Sequence, residues 1–146
     1  MYDLAAKFKK YLESTLSPGL IKIEEGAVLR FINSLYDTNL RSLSDVKHRV
    51  KGKYIVPPLF IITFDRERRP SFDTKYGKGA VNLGNEYEFF KPMYVGDVIS
   101  YTKKLAKFKL GEGKLGKNIV YTIETIFKNQ KRQKVAVSRW TTMVFQ

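Results

Sequence analysis

The chain has 146 residues, of which 43% are hydrophobic and 14% aromatic, and its formal net charge is +13. This length and composition predict one globular domain and exclude an intrinsically disordered chain. The chain has no cysteine and a single histidine, His48, which excludes disulfides, cysteine nucleophiles and zinc sites built on cysteine and histidine. The basic surface would attract polyanions such as nucleic acid, acidic lipid or a phosphorylated cofactor, or it is simply a solvated surface.

Two amphipathic helices are predicted near the N-terminus, over residues 2–14 and from about 24 to 37, with a short strand at 20–23 between them. A third short helix is expected over residues 43–50. Each of the first two helices has an apolar stripe that should face the core. These stripes are Leu4, Phe8, Tyr11 and Leu12 in the first helix and Val28, Phe31, Ile32 and Leu35 in the second.

A buried helix is predicted in the middle of the chain. Residues 57–64 are apolar on all sides, and Pro58 suits the first turn of a helix, so this segment should form a short, fully buried helix. A charged loop is expected to follow from Asp65 to Tyr76. This loop contains three arginines that either clamp a phosphate group or are solvated, namely Arg66, Arg68 and Arg69.

An antiparallel sheet is predicted for the C-terminal half, because the hydrophobic period there changes to two. Helices followed by a long antiparallel meander indicate an α+β domain. Since a fully buried helix needs a sheet curved around it, the expected arrangement is the hot-dog fold, in which an antiparallel sheet wraps a central helix. Gly96 and Asp97 are expected to shape a turn and to take no part in chemistry. The strands should begin near Val81, Val98, Ile119 and Val135, with turns at 92–97, 111–116 and 129–132.

Four stretches of the sequence resemble MaoC-like dehydratases of the hot-dog superfamily, and the resemblance runs from Glu24 to Gln146. The four stretches are the helix and loop from Gly26 to Asn39, the segment Ile55–Phe60, the Pro-x-x-x-Gly-Asp turn within Phe89–Asp97, and the closing strands from Asn118 to Met143. The resemblance implies one MaoC-like hot-dog domain over residues 1–146, with 1–19 as an N-terminal helical extension. It also implies acyl-CoA as substrate, with no cofactor, and the family's chemistry is hydration of an enoyl-CoA or the reverse dehydration.

The segment 33–42 resembles the family's catalytic motif, with one omission. In catalytic members an aspartate and a histidine five residues later bind the attacking water. Here Asp37 and Asn39 match the motif, while Ser42 occupies the histidine position. Serine is no base near neutral pH without its own activator, which favours a turn role for Asp37. The resemblance therefore implies a non-catalytic or auxiliary subunit, in a homodimer or a heterodimer with a catalytic MaoC-like subunit, with Ser42 and the 66–69 arginines as substrate-binding candidates.

Two alternative functions stay open from the sequence. A self-sufficient enoyl-CoA hydratase or acyl-CoA thioesterase would pair Asp37 with His48 or another base. A basic nucleic-acid-binding module would stack bases on Tyr101, Tyr121 and Trp140, but the absence of an RNP-like signature disfavours it. No apolar run approaches the roughly 20 residues that span a bilayer, and the N-terminus lacks signal-peptide features, so a cytoplasmic protein without a membrane partner is expected.

Overall fold

The computed structural model describes residues 2–12, 15, 18–35, 49–50, 53–65, 79–114 and 116–145. The helices are α1 (Tyr2–Leu12), α2 (Glu25–Ser34) and α3 (Ile62–Asp65), and a 3₁₀ helix, Pro58–Ile61, runs directly into α3. The strands are β1 (Gly19–Lys22), β2 (Arg49–Val50), β3 (Lys53–Tyr54), β4 (Gly79–Phe89), β5 (Val98–Gly113), β6 (Gly116–Lys128) and β7 (Lys134–Phe145). The α+β architecture therefore agrees with the sequence prediction.

Five strands form one antiparallel sheet in the order β1-β5-β6-β7-β4, and β2 pairs with β3 in a separate ribbon. The predicted meander holds for β5, β6 and β7. It is wrong for β4, which pairs with β7 instead of β5 and so forms the opposite edge of the sheet from β1. Hydrophobic periodicity identifies a strand and its buried face, but it carries no information about which strand lies beside it.

One face of the sheet is covered by the helices and carries two apolar clusters. The first joins α2, the 3₁₀ helix and α3 to the sheet around Phe127, which is 1% exposed. The second joins Phe8 of α1 to Tyr121 and Phe108, with ring centroids 5.4 Å from Phe8 in both cases. Because each large apolar side chain stabilises the fold by about 1.5–3 kcal/mol when fully buried, these clusters account for the packing of the helices on the sheet.

The predicted helices are confirmed at their centres and corrected at their ends. Val28 and Ile32 of α2 are buried as expected, but Leu12 and Leu35, which close the two stripes, are 37% and 49% exposed. Each lies at or beyond the last helical residue. Within the described residues, no helix is both long enough and apolar enough to cross a bilayer.

The central helix covers almost the predicted residues but is more exposed than predicted. Phe60, Ile61 and Phe64 are buried, whereas Leu59 is 49% exposed, so the expectation of a fully buried helix is wrong. Pro58, Leu59 and Thr63 lie on the exposed side of this helical segment. The helix predicted for 43–50 is also wrong at residues 49–50, which form β2, and its remainder lies outside the described residues.

The turn before β5 has the structural role predicted for Gly96 and Asp97. Gly96 has φ 89°, a left-handed conformation that favours glycine. The Asp97 carboxylate accepts the Tyr94 backbone N–H at 2.9 Å and the Gln130 side-chain amide at 2.9 Å. Asp97 is 4% exposed, and these hydrogen bonds tie the two turns together.

Candidate functional site

A surface pocket of about 500 Å³ lies between α2 and the 3₁₀–α3 segment. Its apolar wall is made by three phenylalanines, and the ring centroids of Phe31 and Phe60 are 5.6 Å apart and those of Phe60 and Phe64 5.8 Å apart. Both pairs meet edge to face, which is a favourable aromatic geometry. Lys22, Glu24, Arg30, Ser34 and Thr63 supply the polar part of the lining. The pocket thus combines an aromatic wall with a charged rim.

The predicted catalytic segment, residues 33–42, begins at this pocket. Its first two residues belong to α2, and Ser34 lines the pocket with its hydroxyl donating to the Phe31 carbonyl at 2.7 Å. The motif residues Asp37, Asn39 and Ser42 lie outside the described residues, as does His48. The three arginines at 66, 68 and 69 lie outside them as well. The structure therefore describes the start of the predicted site and leaves its motif residues as predictions.

A buried polar cluster that the sequence analysis missed lies at the end of α3. The Lys103 ammonium is 3.3 Å from Asp65 Oδ1 and donates to the Asp65 backbone carbonyl at 2.9 Å. Ser138 Oγ donates to Asp65 Oδ2 at 2.7 Å, and Thr125 Oγ1 donates to Asp65 Oδ1 at 3.3 Å. All four residues are 2–3% exposed. The four side chains are therefore shielded from solvent.

This cluster fixes α3 at one position on the sheet. Lys103, Thr125 and Ser138 are direct cross-strand partners on β5, β6 and β7, so they form one polar row across three strands. The row separates the two apolar clusters, with the Tyr101 row on one side and the Leu105 row on the other. Since a buried charge is costly unless it is paired, moving the end of α3 along the sheet would leave Lys103 without a counter-charge.

Two sequence expectations are corrected here. Asp65 was expected to open a charged loop, but it is the last residue of α3 and is buried. Lys103 is one of the basic residues expected at the surface, and it is buried as well. The alternation of β5 contains the signal that would have found it, because residues 101, 103 and 105 share the buried face. Lysine is rarely buried without a partner, and the Asp65 partner is 38 residues away in sequence.

The opposite face of the same strands carries an ion-pair ladder. Glu124 accepts from Lys104 at 2.9 Å and from Arg139 Nε at 3.0 Å, and Arg139 also lies 3.6 Å from Glu88. The hydrogen bond from Lys104 holds the pKa of Glu124 below its ordinary value, partial burial opposes this shift, and Arg139 adds to it. The ladder runs across β5, β6, β7 and β4 and stabilises their pairing.

The nucleic-acid alternative loses two of its three aromatic residues. Tyr101 and Tyr121 are 2% and 4% exposed and belong to the apolar clusters beneath the helices. Buried rings do not stack on bases, so the stacking role considered for these two residues is wrong. Within the described ranges, no group of three or more acidic or histidine side chains is placed to hold a metal ion.

Residues 13–138 match the family model described as FAS1-like, dehydratase domain region. The chain belongs to this family. The match runs from the end of α1 into β7 and so includes the pocket, the polar cluster and the predicted catalytic segment. No curated protein matches the sequence. The dehydratase family predicted from the sequence is confirmed for this FAS1-like chain.

Solved structures show the same fold at low sequence identity. The ChsH1–ChsH2 complex from Mycobacterium tuberculosis matches with a TM-score of 0.80 and 14% identity, over 100% of this chain and 98% of that one. The C-terminally truncated HadBC (3R-hydroxyacyl-ACP dehydratase) complex from the same organism matches with TM-score 0.68 and 15% identity, over 88% and 93%. A MaoC-like dehydratase from Rhodospirillum rubrum matches with a TM-score of 0.64 and 14% identity, over 91% of this chain and 93% of that one. The chain therefore has the MaoC-like hot-dog fold, as predicted.

Proposed function

We propose that the chain is the auxiliary subunit of an acyl-CoA hydratase or dehydratase, which helps bind the substrate and depends on a partner for the catalytic histidine. The observation that carries the proposal is Ser42, which occupies the histidine position of a segment that begins at the aromatic pocket. Two of the similar solved structures are complexes, which supports a partner subunit.

The pocket between α2 and α3 suits the acyl part of the substrate. Phe31, Phe60 and Phe64 offer an apolar wall, and each methylene buried against such a wall stabilises the bound state by about 0.8 kcal/mol. Lys22 and Arg30 at the rim are positively charged and would attract the anionic part of a CoA thioester. The pocket is therefore expected to discriminate substrates by the acyl group.

The chemistry requires more than this chain supplies. Hydration of an enoyl thioester needs a base that takes a proton from water and an acid that protonates the α carbon. A serine hydroxyl supplies neither near neutral pH, so the aspartate at position 37 would be left without its partner base. A histidine on a second hot-dog subunit would complete the reaction, while this chain holds the substrate.

The experiment is to assay crotonyl-CoA hydration by the purified chain alone and by the chain co-purified with a histidine-bearing MaoC-like partner. We expect the chain alone to be inactive and the complex to be active. In the complex, Phe31→Ala should raise KM for the acyl-CoA about tenfold with kcat unchanged, because it removes binding shared by ground and transition states.

Leu59→Ala is the matched control, since Leu59 lies in the same 3₁₀ helix as Phe60 but is outside the pocket lining. Its kinetic constants should equal those of the unmodified complex. Strong activity of the chain alone, abolished by Asp37→Ala, would reject the auxiliary role. It would favour a self-sufficient enzyme, and loss of that activity in His48→Ala would identify the base.

A further inference from the structure

A second pocket lies where the turn before β5 meets the turn between β6 and β7. Its volume is about 460 Å³. One wall is the segment from Lys91 to Asp97, another is the turn Asn129–Gln133, and Lys53 of β3 closes the third side. Among the residues that the structure describes, it shares none with the predicted catalytic segment or with the aromatic pocket.

The two turns are held rigidly by side-chain hydrogen bonds. The Gln130 amide nitrogen donates to Asp97 at 2.9 Å, and its amide oxygen accepts the Val98 N–H at 3.2 Å. Asn129 Oδ1 accepts the backbone N–H groups of Lys131 and Gln133, both at 3.0 Å. The frame of this pocket is thus already ordered without a ligand, which lowers the entropy cost of binding.

Backbone hydrogen bonds tie the third wall to the same frame. The Val56 N–H donates to the Met93 carbonyl at 2.9 Å, and the Val95 N–H donates to the Tyr54 carbonyl at 3.0 Å. Lys53 precedes Tyr54 in β3, so its position follows that of the turn. The three walls therefore form one unit.

The pocket is strongly cationic. Lys53, Lys91 and Lys131 are exposed, and none of them has an ion-pair partner in the part of the chain that the structure describes. Among the described lining residues Asp97 is the one carboxylate, and both of its oxygens already accept hydrogen bonds. By contrast, Lys103 on the sheet is paired with a carboxylate. Three ammonium groups and one carboxylate leave the described lining with a net positive charge, which attracts a multivalent anion.

We propose that this pocket, the lysine pocket, binds a phosphorylated group through the three ammonium groups of Lys53, Lys91 and Lys131. Lysine binds phosphate as a point charge, and a pocket of this volume lies within the roughly 300–1,000 Å³ range of small-ligand sites. A lone phosphate would leave much of the space unfilled, so a bisphosphate or diphosphate is the better match. If the proposed function is correct, the nucleotide end of CoA is the source of these phosphates.

The experiment is a calorimetric titration of the full chain with inorganic pyrophosphate and, separately, with adenosine 3′,5′-bisphosphate, at near-physiological salt. The test variant is Lys53→Gln/Lys91→Gln/Lys131→Gln. The matched control is Lys107→Gln/Lys109→Gln/Lys117→Gln, which removes the same charge from exposed positions of β5 and β6 outside the pocket. Thermal melts of all three proteins establish that each is folded.

We expect the pocket variant to bind at least about tenfold more weakly, while the control changes by less than about twofold, because charge-assisted contacts act only at the site. Equal weakening in both variants would overturn the proposal, since general attraction to a basic surface would then explain binding. If neither compound binds, the proposal is overturned as well.

The two compounds separate the sources of the phosphate. Tighter binding of the bisphosphate supports the nucleotide end of CoA as the source of the phosphates. Binding of pyrophosphate alone overturns that source but still supports an anion site. The outcome is independent of the hydration assay, because the lysine pocket and the aromatic pocket have no residue in common. Failure of the proposed function is seen in the hydration assay, and failure of the lysine pocket is seen in the titration.

Discussion

Lys103 and Lys104 are neighbours in β5 with opposite environments. The Lys103 side chain is 4% exposed and paired with buried Asp65, while the Lys104 side chain is 51% exposed and paired with Glu124. Strand alternation alone sends consecutive residues to opposite faces. The consequence is large because a buried charge deprived of its partner costs several kcal/mol, whereas an exposed pair contributes about 0–1 kcal/mol.

Replacing the buried lysine should therefore be the more damaging change. We expect Lys103→Met to lower the free energy of unfolding by about 3–5 kcal/mol, because Asp65 would stay buried without a cation. The matched control Lys104→Met should lower it by about 1 kcal/mol or less. Urea denaturation of both variants measures the difference.

A double substitution distinguishes the effect of the buried charges on stability from the effect of packing. Asp65→Asn combined with Lys103→Met removes both buried charges and keeps groups that hydrogen-bond Ser138 and Thr125. The double variant should be more stable than Lys103→Met alone. Equal stability of the two, or equal effects of Lys103→Met and Lys104→Met, would contradict the proposed importance of the buried pair.

Glu124 gives the stability of the fold a defined pH dependence. Its pKa is lowered in the folded state from the ordinary value of 4.5, so its ion pairs stabilise the fold fully above that value. This contribution is lost as the pH falls through the folded-state pKa. We expect Glu124→Gln to reduce the free energy of unfolding near pH 7 and the difference from the unmodified chain to shrink below about pH 4.5.

The control for this titration is Glu88→Gln. Glu88 is 53% exposed in its side chain and lies 3.6 Å from Arg139, so its loss should change stability little at any pH. Unfolding measured by denaturant between about pH 7 and about pH 3 gives both curves. A Glu124→Gln difference that is constant over this range would show that the carboxylate contributes through packing and not through its charge.

At the scale of elements, the strands were predictable where one face is buried and one is not. β6 is the clearest case, since Ile119, Tyr121, Ile123 and Phe127 alternate and all four are buried. β4 was predicted as a strand from the same kind of pattern, yet its Val81 and Leu83 are 43% and 51% exposed. The apolar residues of an edge strand give the same signal as those of a central strand, so the pattern could not distinguish them.

The position of α3 could not be read from the sequence because it depends on a long-range pair. Phe60, Ile61 and Phe64 indicated a buried helix correctly. Where that helix ends is fixed by Asp65, which meets a lysine 38 residues later, and an aspartate after an apolar run is equally typical of a loop. Contacts of this kind follow from topology, and the order β1-β5-β6-β7-β4 was itself not predictable from periodicity.

At the scale of the whole molecule, family membership was predictable and the site was predictable only in part. The resemblance of the Phe89–Asp97 turn and the 33–42 segment identified the hot-dog dehydratase family, which the match over residues 13–138 confirms. The aromatic pocket, the polar cluster and the lysine pocket each gather residues from several elements. Sequence spacing does not reveal such sets, because the residues meet only after the sheet and helices pack.

The exposed edge of the sheet predicts where the proposed second subunit would bind. β4 is an edge strand of 11 residues, and Val81, Leu83 and Phe89 along it are 43%, 51% and 41% exposed. A long apolar edge of this kind is a template for pairing with another chain. We therefore expect β4 to pair with a second hot-dog subunit and to bury these side chains, in the homodimer or in the heterodimer.

Charging that edge tests the arrangement. Val81→Lys/Leu83→Lys should convert the dimer to a monomer in sedimentation velocity, because lysines buried at an interface without partners oppose association. Leu20→Lys is the control, since Leu20 is 69% exposed on β1 at the opposite edge, and it should leave the dimer intact. If only Leu20→Lys dissociates the dimer, the interface lies at β1. If the unmodified chain is a monomer and dimerises only with a histidine-bearing partner, the heterodimer is favoured.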